Sequence, residues 1–393
     1  MRIKAALYNA GHLEYGLITI PFSIPQDQYT GTIKMLEALD IGGPQARDCM
    51  VEEIEGNIHS LKCLEGCKVN VDELDYLVKR LDGFTDGELA QFQGMAVKMG
   101  LSDMTDLINL TFCCQKATVI TDFSDLEQVG RDHYLALNGG CAGMEELDNL
   151  DGIETALLLI AGGDGVVTPY GVVYDNGMQP EHLYDGCHFP QYCYEPPLLM
   201  LTLQEHRDSP KTWLYLPAPD RQIERSILRA GFKAPVDLKL SLQGSAFPKA
   251  ITRVLDMGRE SLEDLNDLCS ILQKLGSDDI KKLEAVVEHM QPESASQVRR
   301  LIENLELFDF VAGVHSAEEY GQYVIQESGR FEYDENLRDY YDYARYGQEC
   351  MNAEDGRFVN SGYVAYHGAL TPGELMREDS AGRYQAEHDL QMG

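Results

Sequence analysis

Four soft ligands lie close together at His182-x4-Cys187-His188-x4-Cys193, a donor set that suits zinc. Their spacing matches no common finger and has no equivalent later in the chain, so they read as loop residues; a metal-dependent hydrolase built on them is the third-ranked reading. Cys63-x3-Cys67 and Cys113-Cys114 lack a ligand-bearing partner motif and read as buried small apolar residues. Gly162-Gly-Asp-Gly165 lacks the Lys-Ser/Thr of a phosphate loop and opens a strand. Neither Gly-x-Ser-x-Gly, nor His-Glu-x-x-His, nor the kinase set occurs. The sequence thus predicts no catalytic residue, no metal ligand and no cofactor.

Carboxylates are the chemistry that remains. The 393 residues hold 65 Asp and Glu against 32 Lys and Arg, for a net charge of −33. Direct nucleic-acid binding is excluded, because phosphate neutralisation needs clustered Lys and Arg. An anionic membrane surface is excluded for the same reason. The acids are unevenly spread. Asp122 to Glu154 holds nine acids and one base, Arg131, and Ser316 to Asp342 holds eight acids and two bases, Arg330 and Arg338. The candidate partner-binding residues are Asp122, Asp125, Glu127 and Asp132 in the first cluster. In the second they are Glu318, Glu319, Glu327, Glu332, Asp334, Glu335, Asp339 and Asp342.

Surface scaling gives roughly 15,000 Å² for a chain of this mass, or roughly 470 Å² per net charge. Duplex DNA presents roughly 100 Å² per charge. The average surface is therefore too dilute to imitate DNA, and only a fold that gathers acids on rigid helices reaches that density. Interleaved Tyr residues are expected to fill the sheet and present a polar tip.

The elements that position these clusters recur. Strands Ile3–Asn9 and Leu17–Phe22 precede a helix through Met35–Leu39; strands Leu198–Leu203 and Trp213–Ala218 precede a helix through Ile227–Gly231. Val71-Asp-Glu-Leu-Asp-Tyr-Leu77 matches Leu262-Glu-Asp-Leu-Asn-Asp-Leu268 at an offset of 262 − 71 = 191, with helical apolar spacing and Asn70 and Ser261 as N-caps. Asp125–Gly130 matches Ser316–Gly321 at the same offset, and glycine-led strands at Gly165–Tyr174 and Gly356–Tyr366 close each block. A period this long is domain duplication, not a solenoid. The expected fold is α+β, with two tandem repeats of small mixed or antiparallel sheet lobes flanking a helical middle. Repeat one spans 1–187, the junction 188–197, repeat two 198–373, and a polar tail 374–393. An N-terminus without an apolar core, a longest apolar run of only Ala156–Ala161 and ten irregularly spaced cysteines point to the cytoplasm, with reduced thiols and no membrane span.

The end of the second repeat resembles a known family. Tyr323-Val-Ile-Gln-Glu-Ser-Gly329, then Leu337, Tyr340, Asp342 and Tyr346-Gly347, then Gly356-Arg-Phe to Gly362-Tyr-Val, follow the pattern of the C-terminal lobe of the ArdA antirestriction proteins. Leu262-Glu-Asp-Leu-Asn resembles that family's helical middle. The resemblance runs over about Leu262–Tyr366 and is fainter over Leu198–Gly244. The first repeat keeps the order but has no counterparts of Tyr340, Tyr341 and Tyr343. The resemblance implies an elongated, acidic mimic of double-stranded DNA, carried on a plasmid, phage or conjugative element. Its implied partner is a type I restriction–modification enzyme, or else another DNA-binding defence complex or regulator. It also implies a monomer acting as a linked pseudo-dimer, or a homodimer.

Overall fold

The computed structural model describes residues 3–206, 209–232, 239–330 and 332–377. The chain divides into two compact units. The first holds Met1–Pro196, Leu203–Leu214 and Ala218–Leu238, and the second holds Pro197–Thr202, Tyr215–Pro217 and Lys239–Gly393.

The chain opens with β1 (Ile3–Tyr8), β2 (Leu17–Phe22), α1 (Gln26–Glu37), β3 (Cys49–Glu55) and β4 (Lys68–Val69), whose strands form one antiparallel sheet in the order β2-β1-β3-β4. Alternation decides β1: Ile3, Ala5 and Leu7 are fully buried while the residues between them reach the surface. Three helices follow, α2 (Val71–Asp82), α3 (Asp86–Met99) and α4 (Met104–Leu110). The Asn70 side chain caps α2 by accepting the Asp72 and Glu73 N–H groups, and Thr85 with Glu88 forms a capping box on α3. Leu74, Leu77, Phe92 and Leu107 pack against Ile3, Leu7 and Ile33 in one continuous core.

The first acidic region comes next: β5 (Thr118–Ile120), α5 (Leu126–Leu137), α6 (Met144–Asp148), α7 (Gly152–Gly162), β6 (Val166–Thr168) and β7 (Gly171–Tyr174). Its sheet runs β5-β7-β6. β8 (Leu199–Gln204), β9 (Thr212–Leu216), α8 (Asp220–Arg229) and β10 (Lys239–Ser245) follow, with sheet order β10-β8-β9. The chain then continues through α9 (Lys249–Val254), α10 (Leu262–Leu272), α11 (Ser277–Met290) and α12 (Ala295–Glu303). It ends with β11 (Phe308–Ala312), α13 (Ala317–Gln326), α14 (Tyr343–Glu354), β12 (Arg357–Val359), β13 (Gly362–Tyr366) and α15 (Pro372–Leu375), the last sheet running β11-β13-β12. The fold is α+β, with small antiparallel sheets around helical segments.

Element positions recur with the sequence offset. From α2 to α10 the starts differ by 262 − 71 = 191, and the same difference separates α3 from α11, α4 from α12, α5 from α13, α7 from α14, β6 from β12 and β7 from β13. Strand register repeats as well: Thr118 faces Tyr174 as Asp309 faces Ala365, and Val166 faces Val173 as Arg357 faces Val364. In place of the single closing strand expected in each block, the structure has a tight hairpin. Pro169-Tyr170 and Asn360-Ser361 make the turns, and Gly171 and Gly362 re-enter the sheet at φ of 128° and 153°, a conformation L side chains rarely adopt.

Sequence order places α8 in the second repeat, yet α8 packs in the first unit. Two nearly buried arginines hold it there. Arg225 makes a 2.7 Å ion pair with Asp72 and donates to the Gly42 carbonyl; Arg229 reaches Glu73 at 3.0 Å, donates to the Asn70 side chain at 2.8 Å and touches the Tyr184 hydroxyl. Glu73 is 1 % exposed and also takes Arg47 at 3.0 Å. Removing one member of such a cluster leaves a buried charge uncompensated. Arg229→Ala is therefore expected to lower unfolding free energy by about 3–5 kcal/mol in urea titrations, against less than about 0.5 kcal/mol for the exposed Arg345→Ala.

Candidate acidic partner-binding faces

The acidic faces are built on two helix pairs whose backbones touch. A Cβ on Gly130 of α5 would overlap the Gly152 carbonyl at the start of α7. In the second unit, a Cβ on Gly321 of α13 would overlap the Tyr343 carbonyl of α14, and one on Gly347 the Ala317 carbonyl. Gly321 lies 321 − 130 = 191 residues after Gly130, so the same residue makes the same crossing twice. Without side chains between them, each pair is a rigid two-helix plate.

On the first plate, Asp122 is exposed and accepts the Ser124 N–H at 2.8 Å and its hydroxyl at 2.9 Å; these bonds, the backbone one first, hold its carboxyl below the usual range. Asp125 caps α5 by accepting the Gln128 N–H at 3.0 Å. Glu127 is half-buried and pairs with Arg131 at 3.3 Å, and Asp132 takes the Gln128 amide at 2.7 Å. Glu145, Glu146 and Asp148 on α6, Asp151 as the N-cap of α7 and Glu154 on α7 add exposed carboxylates.

On the second, all eight expected acids are exposed. Glu318 and Glu319 occupy the first turn of α13, where they complement the helix dipole. Glu319 also accepts the His315 N–H at 2.7 Å. Glu327 ends α13. Asp334 caps the short 3-10 turn Glu335–Tyr340, and Asp342 caps α14 by accepting the Arg345 N–H at 3.1 Å. Asp334 and Asp342 are thus helix or turn caps as well as exposed carboxylates.

Sequence reasoning missed the anchor beneath this second face. Glu354, half-buried at the end of α14, accepts the Tyr320 hydroxyl at 2.6 Å and the Tyr363 hydroxyl at 3.1 Å, and pairs with Arg330 at 3.1 Å. Burial first, then the bond to Glu354, raises the Tyr320 hydroxyl far above the ordinary phenol range. Arg330 follows α13, so this network fixes where residues 332–342 begin. Buried Tyr320 and Tyr363 each needed a polar partner, which was a readable signal, but nothing local named Glu354 as that partner. These two tyrosines fill the sheet side, while Tyr340 stands 85 % exposed. The corresponding first-unit positions, 191 residues earlier, hold Val129, Val172 and Gly163 and have no such network.

The His182 to Cys193 loop serves packing and local bonding. Asp185 accepts the Cys187 and His188 N–H groups and contacts the His188 ring at 2.7 Å, while the Cys193 thiol donates to the Glu195 carbonyl. Tyr184 and Phe189 stack at 5.2 Å, with Arg229 4.5 Å above Phe189. Among the described residues no group of three or more His, Cys, Asp or Glu is placed to hold a metal ion. Cys113 and Cys114 are buried as expected, but Cys63 and Cys67 are only half-buried. No described helix is long and apolar enough to cross a membrane.

A family model described as antirestriction protein (ArdA) matches residues 252–365. Over this segment the chain is similar to the ArdA antirestriction family. It runs from within α9 to β13 and contains every acid of the second face. No curated protein matches the chain. The ArdA segment therefore includes the α13–α14 plate and its Glu354 anchor, whereas the first acidic plate lies outside it. Because the caps carry fold as well as charge, Asn and Ala replacements separate the two roles. Asp342→Asn is expected to hold stability within about 0.5 kcal/mol and Asp342→Ala to lose about 1 kcal/mol, read by thermal and urea unfolding.

Proposed function

We propose that this protein blocks the DNA-binding groove of a type I restriction–modification enzyme by standing carboxylates where duplex phosphates would lie, with no catalytic step of its own. The observation that carries the reading is the coincidence of the ArdA match with the second acidic face: Glu318 through Asp342 lie inside residues 252–365, on α13 and the segment joining it to α14, two helices that meet backbone to backbone. The recurrence of element positions and register at one offset supports the companion reading, a tandem pair with repeat one over 1–187 and repeat two over 198–373. Such a chain acts as a covalently linked pseudo-dimer, or pairs further as a homodimer, in the cytoplasm of a bacterium carrying a mobile element. The same surface would serve against another DNA-binding defence complex or regulator, which makes the identity of the host enzyme the quantity to measure. A metal-dependent hydrolase gains no support from a loop whose His188 and Cys193 are engaged locally.

The direct test is the plating efficiency of unmodified phage on a type I restricting host. Expression of the protein is expected to raise it, with no effect on a host lacking the enzyme. Binding to the purified enzyme should weaken steeply with salt and be competed by duplex DNA. Each exposed carboxylate is screened, so Glu318→Gln alone is expected to change affinity only a few-fold. Neutralising Glu318, Glu319, Glu327, Glu332, Asp334 and Glu335 together should remove about 2–4 kcal/mol, or roughly 30- to 1,000-fold in Kd. A scan in which one substitution abolishes activity while its neighbours are silent, with the fold intact, defeats the reading.

A further inference from the structure

Between α13 and α14 the acids are interleaved with aromatic rings. Residues 332–343 contain Tyr333, Tyr340, Tyr341 and Tyr343 beside Glu332, Asp334, Glu335, Asp339 and Asp342. The rings form a connected row: Tyr333 and Tyr341 have centroids 6.1 Å apart, and Tyr341 and Tyr343 5.8 Å. The Gln326 side-chain amide, at the end of α13, donates to the Tyr343 hydroxyl at 2.8 Å and to the Tyr333 hydroxyl at 3.2 Å, bracketing the row from both ends. Tyr340, next to it, is more exposed than any other large apolar or aromatic side chain among the described residues.

The chain supplies its own control. The corresponding stretch of the first unit, Cys141–Gly152, keeps four acids (Glu145, Glu146, Asp148 and Asp151) but contains no aromatic residue. Charge display alone therefore does not require the rings. Rings among carboxylates suit a cation that is planar and weakly hydrated, because its face stacks on the ring while its edge meets the carboxylates; guanidinium has that shape and ammonium does not. A ring held by neighbours loses little rotamer freedom on binding, which is why Tyr anchors so many interfaces.

We propose that Tyr340 and the Tyr333–Tyr341–Tyr343 row form an arginine-reading surface, so that the second face engages arginine side chains of its partner in preference to lysines. This rests on the reading that the face meets a basic groove, and adds which basic side chain it selects.

The test uses the full-length protein with fluorescent deca-arginine and deca-lysine peptides, followed by anisotropy over a salt series. Wild type is expected to bind both salt-dependently, with deca-arginine tighter. Carboxylates alone also favour arginine, so the deciding quantity is the change in that preference on removing rings. Tyr340→Leu with Tyr341→Leu is expected to reduce the arginine preference about three- to ten-fold while leaving deca-lysine affinity unchanged. The matching Phe variants keep the rings and should keep the preference. Tyr340→Leu alone, at an exposed position, repeats the measurement free of any folding defect, and unfolding midpoints check the double variant. An arginine preference that survives the Leu substitutions, or no preference in wild type, overturns the proposal while leaving the acidic-face reading standing. Failure to bind either peptide, or binding indifferent to salt, overturns both.

Discussion

In each unit the acidic surface rests on a contact that only glycine allows. Where α5 meets α7 and α13 meets α14, the helices approach so closely that a Cβ on Gly130, Gly152, Gly321 or Gly347 would fall on or against a neighbouring backbone group. Helices packed through side chains can shift when those side chains change rotamer; helices packed through backbone have no such freedom. Glu127 and Asp132 on α5, and Glu318 and Glu319 on α13, are mounted on such helices and keep fixed spacings. A disordered acidic tail of equal charge has no such spacing.

The second unit adds a polar anchor to this plate. Glu354 gathers two tyrosine hydroxyls and an arginine, and so joins α13, α14, β13 and the start of the acidic segment. Hydrogen bonds to a charged acceptor are stronger than neutral ones, and partial burial strengthens them further. The first unit has Val129, Val172 and Gly163 at those positions, and its plate is held by apolar packing of Ile120, Val129, Ala156 and Tyr174. The two plates share backbone geometry and differ in chemistry, and the ArdA match falls on the one with the anchor and the tyrosines.

Several acids do two jobs. Asp125, Asp334 and Asp342 end helices or turns by accepting backbone N–H groups, and Glu318 and Glu319 sit at the positive end of α13. The requirements of folding and of negative display coincide, because a helix N-terminus favours a carboxylate whatever else the residue does. Elsewhere charge is used in the opposite way. Asp72 and Glu73 face inward to Arg225 and Arg229 of α8, so part of the chain's negative charge secures its interior and is unavailable to a partner.

How much was legible follows the range of the interactions involved. The caps at Asn70 and Ser261, the strand at Ile3, the helix at Val71 and the exposed acidic segments all depend on neighbours within a few residues, and each could be read from local pattern, whose recurrence gave the offset. The Tyr-rich block was also legible, since its spacing carried the ArdA resemblance over the segment the family model matches. Tertiary structure alone decided the rest. It placed α8 in the first unit, because the carboxylates that Arg225 and Arg229 need lie about 150 residues upstream, the two ion pairs spanning 153 and 156 residues. It selected Glu354 from an abundance of acids as partner to Tyr320 and Tyr363. It turned each closing strand into a hairpin through a glycine whose close approach to a facing strand no local pattern encodes. Composition and periodicity determine which surfaces exist; which charges face inward is settled only when distant segments exclude water from between them.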